Sequence, residues 1–400
     1  MKRFLRSISF FVATFFLASC SNSHSSSARL AAPQASSVAP AAVTPHPQKV
    51  ALLLPLSGNL SPYANAIRNG YTTAAEEQKM RGGYSPEITV IDTTGKNVID
   101  TYHAAVAQGA NLIVGPLNKG DVAVLNDDHA LTTPVLALNA TDNNVHVNDK
   151  VFQFALSPTD EAEQAAIKAM SDHHHAAIIL APNNAWGHRL ANAFTAQWKT
   201  MGGNIVATEY YDGMTTLSRK ISSVLGINEG YQNDHAVASM LRERVRYIPA
   251  RRQDFDSIFM VATPVMAKEI EPLLHFYFAG NIPIYTTSQI NTASAMNDRD
   301  LDGIQFCDMP WVLAPNDMPN NVRASQQHIQ QTWPQNYGSL SKFYAMGVDA
   351  FTLSTELSTL PTHAPGQSGA TGALYLAPNH HINRTLMWAK FVNGSPQLIR

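Results

Sequence analysis

Apolar positions along the chain fall into short unbroken runs that alternate with stretches of helical spacing, and Lys49 to Glu77 sets the pattern. Val50 to Leu54 is continuous and short, which suits a strand buried on both faces. Pro55, Ser57 and Gly58 interrupt it, Ser61 is placed to cap a helix, and Pro62 suits a first helical position. Tyr63, Ile67, Tyr71, Ala74 and Ala75 then recur on one helical face. The alternation continues with a strand at Glu87 to Asp92, a helix at Thr101 to Gln108, and a strand at Leu112 to Val114 ending in Gly115-Pro116-Leu117. A further strand, Pro134 to Leu138, ends in Asn139. This is the pattern of a doubly wound, mainly parallel α/β sheet, with every polar turn on one edge.

Val151 to Leu156 reads as a crossing, because Ser157-Pro158-Thr159-Asp160 opens a new helix from Glu161 to Met170. A second lobe follows, with strands predicted at Ala176 to Leu180, Ile205 to Tyr210, Ser257 to Val261 and Ile282 to Tyr285. Helices are predicted at Arg189 to Met201, Asn233 to Arg246 and Pro264 to Phe276. Leu301 to Trp311 is expected to return the chain to the first lobe, which helices at Asn321 to Trp333 and Ser341 to Leu357 complete. Gly369 to Leu376 and His381 to Phe391 read as a hairpin on the second lobe. The expected organisation is lobe one at 49–156 plus 305–362 and lobe two at 157–304 plus 363–400, with about three crossings forming a hinge.

With 400 residues, 45% of them hydrophobic, the chain exceeds one typical domain and can fill two cores. A formal net charge of -2 removes any general case for nucleic acid. Before the first strand the picture changes. Lys2, Arg3 and Arg6 precede an apolar run from Ile8 to Leu17, too short to span a bilayer, so 1–19 reads as a signal peptide. The run ends in Leu17-Ala18-Ser19-Cys20, which resembles the lipobox of bacterial lipoproteins and makes Cys20 the expected lipidation site. Ser21 stands where an aspartate would favour inner-membrane retention, so an outer-membrane anchor facing the periplasm is expected, held by several acyl chains. From Ser21 to Gln48 the chain is rich in Ser, Ala and Pro, a tether with a reach on the order of 90 Å if fully extended. Lipid on Cys20 would leave Cys307 without an intramolecular disulfide partner.

For a small polar ligand, the turns at the strand ends supply the candidates: Ser57, Gly58, Asn59 and Tyr63 after the first strand, Asn139 and Thr141 after the fourth. Asn183, Asn184 and Trp186 are their counterparts in the second lobe. The same residue types also close turns and cap helices. His173-His174-His175 and His380-His381 present adjacent side chains in different directions, which does not assemble a metal set. Arg251 to Asp256 reads as a charged loop lock, Trp311 as hinge packing, and Cys307 as a small buried residue. No G-x-S-x-G elbow, H-E-x-x-H helix, P-loop or Cys-x-x-Cys occurs. No catalytic residue, metal or cofactor is assigned.

Several stretches, taken in order, resemble one family. ALLLPLSGNL with AIRNGY, IVGPLNKG, PVLALN, FQFALSPTDEA, LAPNNAWGHRLANAF, RRQDFDSIF, IPIYTTS, RDLDGIQFCDMPWVL, FYAMGVDAF and TGALYL with INRTLMWAKFVNG are similar to the carboxy-terminal domain of the LppC/LpoA lipoproteins. These are outer-membrane activators of penicillin-binding proteins. The resemblance covers nearly all of Lys49 to Gly394. It implies a type I periplasmic-binding-protein fold and a noncatalytic protein that contacts a class A penicillin-binding protein, a peptidoglycan synthase, and stimulates transpeptidation. Larger members carry a helical tetratricopeptide-like domain between lipid and fold, where this sequence has the Ser/Ala/Pro tether. The alternative reading is a lipid-anchored solute receptor for an amino acid or a small wall-derived peptide; a hydrolase is a third.

Overall fold

The computed structural model describes residues 46–141, 148–227, 240, 250–292 and 299–399. The expected signal segment, Cys20 and the tether to residue 45 lie outside the described residues, as does nearly all of the helix expected at Asn233 to Arg246.

In lobe one, β1 (Lys49–Leu54), α1 (Ser61–Met80), β2 (Glu87–Asp92), α2 (Val98–Ala107) and β3 (Leu112–Val114) follow one another. Then come α3 (Lys119–Asp127), β4 (Val135–Ala137) and β5 (Val151–Phe154). Lobe two continues with α4 (Pro158–Ser171), β6 (Ala176–Pro182), α5 (Ala185–Thr200), β7 (Asn204–Tyr211) and α6 (Met214–Val224). β8 (Ser257–Met260), α7 (Pro264–Phe276), β9 (Ile284–Thr286) and β10 (Gln305–Asp308) complete its parallel strands. The chain returns through the short α8 (Pro310–Leu313) to α9 (Asn320–Thr332) and α10 (Pro334–Glu356). It ends in β11 (Gln367–Ser368), β12 (Ala373–Leu376), β13 (His381–Thr385), β14 (Met387–Val392) and β15 (Ser395–Ile399).

Two sheets result, ordered β11-β12-β13-β5-β4-β3-β1-β2 and β15-β14-β10-β9-β8-β6-β7. Each is parallel through its middle, with antiparallel strands at the β11–β12 and β14–β15 ends. The unbroken apolar run of β1 has the predicted cause. Val50, Leu52 and Leu54 face a core shared with α1, α9 and α10, whereas Ala51 and Leu53 face α2 and α3. β6 divides in the same way: Ile178 and Leu180 point to α6 and α7, Ala177, Ile179 and Ala181 to α4 and α5.

Two expected boundaries need correction. β10 pairs with β9 and β14 in the second sheet, so the return to lobe one comes at Met309, not at 305. The segment His381 to Phe391 is not one strand of a lobe-two hairpin. β13 lies parallel to β5 in the first sheet, Leu386 bridges, and β14 joins β10 in the second. A single extended run of alternating polarity thus serves two sheets, and its periodicity carries no mark of the change. The α1 start also differs: Leu60, not Ser61, is the cap, with no side-chain bond, because Gly58 at φ 74° brings its carbonyl to the Ser61 N–H at 3.1 Å. Ser157 does cap α4, its oxygen accepting from Asp160 N–H.

α1 and α10 lie against each other with Tyr63 beside Phe343, and Tyr71 edge-on to Phe351 and hydrogen-bonded to Ser354. Two glycines permit this approach. A Cβ on Gly70 would run into the Tyr344 carbonyl, and one on Gly347 into the Ile67 carbonyl. Two residues beyond Gly347, the fully buried Asp349 carboxylate accepts the Ala370 and Thr371 N–H groups, both at 2.7 Å, and the Thr371 hydroxyl at 2.6 Å. It thereby fastens the loop that leads into β12.

Burial raises the Asp349 carboxyl to about 6, partly offset by those donors. Its folded-state pKa exceeds the unfolded value of 3.8, so its stabilising contribution is complete below 3.8 and disappears as pH rises through about 6. Wild type should lose on the order of 3 kcal/mol from this group between those limits. Urea unfolding at pH 4 and pH 7 should therefore show a larger drop for wild type than for Asp349→Asn; equal drops would refute the assignment.

Candidate functional site

The three crossings bring a polar cluster to the joint between the lobes. Glu161, buried on α4, accepts the Ser288 N–H at 2.9 Å and the Ser288 hydroxyl at 3.1 Å. Lys342 reaches across from α10, donating to the Ser288 carbonyl at 3.1 Å and pairing with Asp308 at 3.0 Å. Asp308, 1% exposed at the end of β10, also accepts from Asn291 and the Met309 N–H. Arg384 lies 3.8 Å from Glu161 and donates to the Thr371 carbonyl. Lobe-one residues Lys342 and Arg384 thus hold lobe-two residues Asp308, Ser288 and Glu161.

Burial pushes the Glu161 carboxyl up, against the pull of Arg384 and Lys342. Burial, then the nearby Glu161 and Asp308 charges, pushes the Cys307 thiol well above its usual range. That thiol is a packed side chain without thiolate character at neutral pH. Lys342→Met should strip Asp308 of its cation while the carboxylate stays buried. A loss of about 2–3 kcal/mol in urea unfolding is expected, and a loss under about 0.5 kcal/mol would show that the pair does not hold the lobes.

The nine sequence-predicted ligand residues are placed at turns and caps. Ser57, Gly58 and Asn59 line a depression of about 340 Å³ formed by lobe-one loops alone. Tyr63 packs on Phe343, 4.6 Å between centroids. Asn139 donates to the Leu117 carbonyl and accepts from Ala140 N–H, and Thr141 is bonded to Gln153. Asn183 bonds Asp212 and His188, Asn184 caps α5 through Gly187 N–H, and Trp186 leans on the core beneath α5. The first three share one depression; the described pockets do not join them to the other six.

A larger pocket, about 720 Å³, opens instead at the joint, between α9 and α10 on one side and the Ser288–Ile290 turn on the other. Sequence reasoning placed Trp311 here as hinge packing, and the ring is buried with its indole N–H on the Ser341 hydroxyl at 3.1 Å. It missed Gln326, whose buried amide donates to both the Trp311 carbonyl and the Tyr337 hydroxyl at 2.8 Å. Four segments, around 289, 311, 326 and 340, meet there; helical periodicity could flag Gln326 as a polar residue on an inward face, but not its neighbours.

The Arg251 to Asp256 loop behaves as read. Arg252 grips Asp254 with two bonds of 2.7 Å, Arg251 donates to the Phe278 carbonyl, and Asp256 accepts the His175 and Ala176 N–H groups. At the start of the described chain, His46 stacks on Tyr84 at 5.2 Å and the Tyr84 hydroxyl donates to the Pro47 carbonyl. Among the described residues, no helix is long and apolar enough to cross a membrane.

Comparison with known proteins places this architecture. The penicillin-binding protein activator LpoA of Vibrio antiquarius (strain Ex25) is 31% identical over 354 residues, covering 86% of this chain and 57% of that protein. The chain therefore spans little more than half the length of its curated relative. The LpoA (YraM) C-domain from Haemophilus influenzae, described as a regulator of PBP1A, is 26% identical with a TM-score of 0.68, covering 88% of this chain and all of that one. An ABC transporter substrate-binding protein from Desulfitobacterium hafniense shares the fold at 16% identity and a TM-score of 0.57, covering 88% of this chain and 99% of that one. The α/β, two-lobed periplasmic-binding-protein-like fold expected from the sequence is thus the fold observed. A family model described as "LppC putative lipoprotein" matches residues 28–394, and the chain belongs to that family.

Proposed function

We propose that the protein is a noncatalytic activator of a class A penicillin-binding protein, held at the periplasmic face of the outer membrane by lipid on Cys20. The observation that carries the reading is the match to the Haemophilus influenzae regulator of PBP1A along the whole of that domain, supported by the activator from Vibrio antiquarius. The joint favours binding over chemistry: its one thiol is buried and protonated, and its carboxylates are spent on Ser288, Lys342 and Asn291. Activation then works by binding one state of the synthase better than another, so that the active population grows. The tether supplies reach, and the bilobal body supplies the contact surface.

The reading is tested by passing the mature, detergent-solubilised protein over an immobilised class A synthase. Saturable binding that survives mild salt is expected; no binding at micromolar concentration would contradict it. Anchoring has its own test. Mass spectrometry of the mature amino terminus should show acylated Cys20, and Cys20→Ala should move the protein out of the outer-membrane fraction. A solute receptor is the second reading, and the pocket at the joint favours it.

A further inference from the structure

We infer that the joint pocket binds an uncharged saccharide of one or two rings. This goes beyond the activator reading and does not depend on it. At about 720 Å³ the pocket lies inside the usual range of roughly 300–1,000 Å³ for small-molecule sites. Its electrostatics select against charge. Among the described residues Lys342 is the one charged side chain lining it, and Asp308, 3.0 Å away, already pairs with the ammonium. A ligand carboxylate would have to compete with Asp308 and the Ser288 carbonyl for the Lys342 ammonium, and a ligand ammonium would be repelled by it, so neither charge finds a free counter-charge.

Hydrogen-bonding groups are plentiful by contrast. Gln289, Asn291 and Gln330 bring amides that both donate and accept, and Ser339 brings a hydroxyl that does the same. That two-way capacity matches a ring of hydroxyls, each of which donates and accepts. The apolar part of the wall joins the rings of Tyr337 and Phe343 to Val312 and Pro315, with the buried Trp311 behind them. Flat rings suit the C–H faces of a pyranose.

The wall is also fixed in advance. The buried Gln326 amide ties the Trp311 carbonyl to the Tyr337 hydroxyl, and Ser341 holds the indole N–H, leaving the two rings 6.5 Å apart between centroids. A site whose aromatic side chains are pinned before the ligand arrives loses less entropy on binding. Because Gln289 and Asn291 belong to lobe two and Tyr337 and Phe343 to lobe one, a saccharide lodged there would touch both lobes.

The test titrates the mature protein with diacetylchitobiose, cellobiose, L-glutamate and diglycine, each followed by ligand-observed NMR and calorimetry. Saturable binding of at least one disaccharide is expected in the micromolar to millimolar range, with weaker or no binding of glutamate and diglycine. Ser339→Trp, at an exposed position on the rim, should weaken disaccharide binding at least about tenfold without moving the thermal midpoint. If that variant folds poorly, the exposed pair Gln289→Ala and Gln330→Ala should give the same loss. No saturable disaccharide binding, binding unmoved by these substitutions, or glutamate bound as tightly as sugar would overturn the inference.

Discussion

Gly347→Ala is expected to lower the stability of the body by about 3–5 kcal/mol, a large effect for one methyl group. The reason is what the methyl would meet. The Gly347 Cβ position is occupied by the Ile67 carbonyl of α1, and the Gly70 position by the Tyr344 carbonyl of α10. A side-chain neighbour could rotate away, but a helix carbonyl moves only with its helix. The helices must separate, loosening Tyr71 from Phe351 and opening a gap in the core they share with β1. Gly70→Ala should cost a similar amount, and the double variant less than the sum, because one separation relieves both clashes. Urea unfolding of the three variants tests this; losses below about 1 kcal/mol would contradict so close a crossing of the two helices.

Asp349→Ala should be of similar size, about 3–5 kcal/mol. Three short hydrogen bonds converge on that carboxylate, and its removal leaves the Ala370 and Thr371 N–H groups and the Thr371 hydroxyl buried without it. The loop they define carries Arg384's acceptor, the Thr371 carbonyl, so the damage should reach the joint. Hydrogen exchange would separate this from a uniform loss: β12 and β13 should lose protection first, while β6 and β8 keep theirs. Equal loss across both sheets would contradict a local role for Asp349.

Much of this fold was legible because its strands obey the simplest rule available. Runs such as Val50 to Leu54 and Ala177 to Ala181 are apolar throughout since both faces are covered; Pro264 starts its helix as expected, while α4 begins at Pro158, ahead of the expected Glu161. Where the rule failed, the cause was tertiary. His381 to Phe391 has one local pattern but two partners, and nothing in its residues marks Leu386 as a bridge between sheets. α6 was overlooked because Gly213, at φ 140°, offers no side-chain cap, although Leu217, Ile221 and Val224 keep helical spacing. The site was less legible still. Asn, Ser and Gly at strand ends satisfy a ligand or a turn equally well, and here Asn184 and Asn139 are bonded to their own turns. The pocket at the joint is built from residues far apart in the chain, the Ser288–Lys342 bond alone spanning 54 positions, and sequence proximity cannot reveal it.

The central proposal is that the body works by touching a peptidoglycan synthase. Its most direct test is glycan crosslinking by a purified class A penicillin-binding protein, supplied with lipid-linked precursor, in the presence and absence of the mature protein. The account predicts a saturable rise in crosslinked product. Crosslinking that stays flat at concentrations where the folded protein is in excess would contradict it.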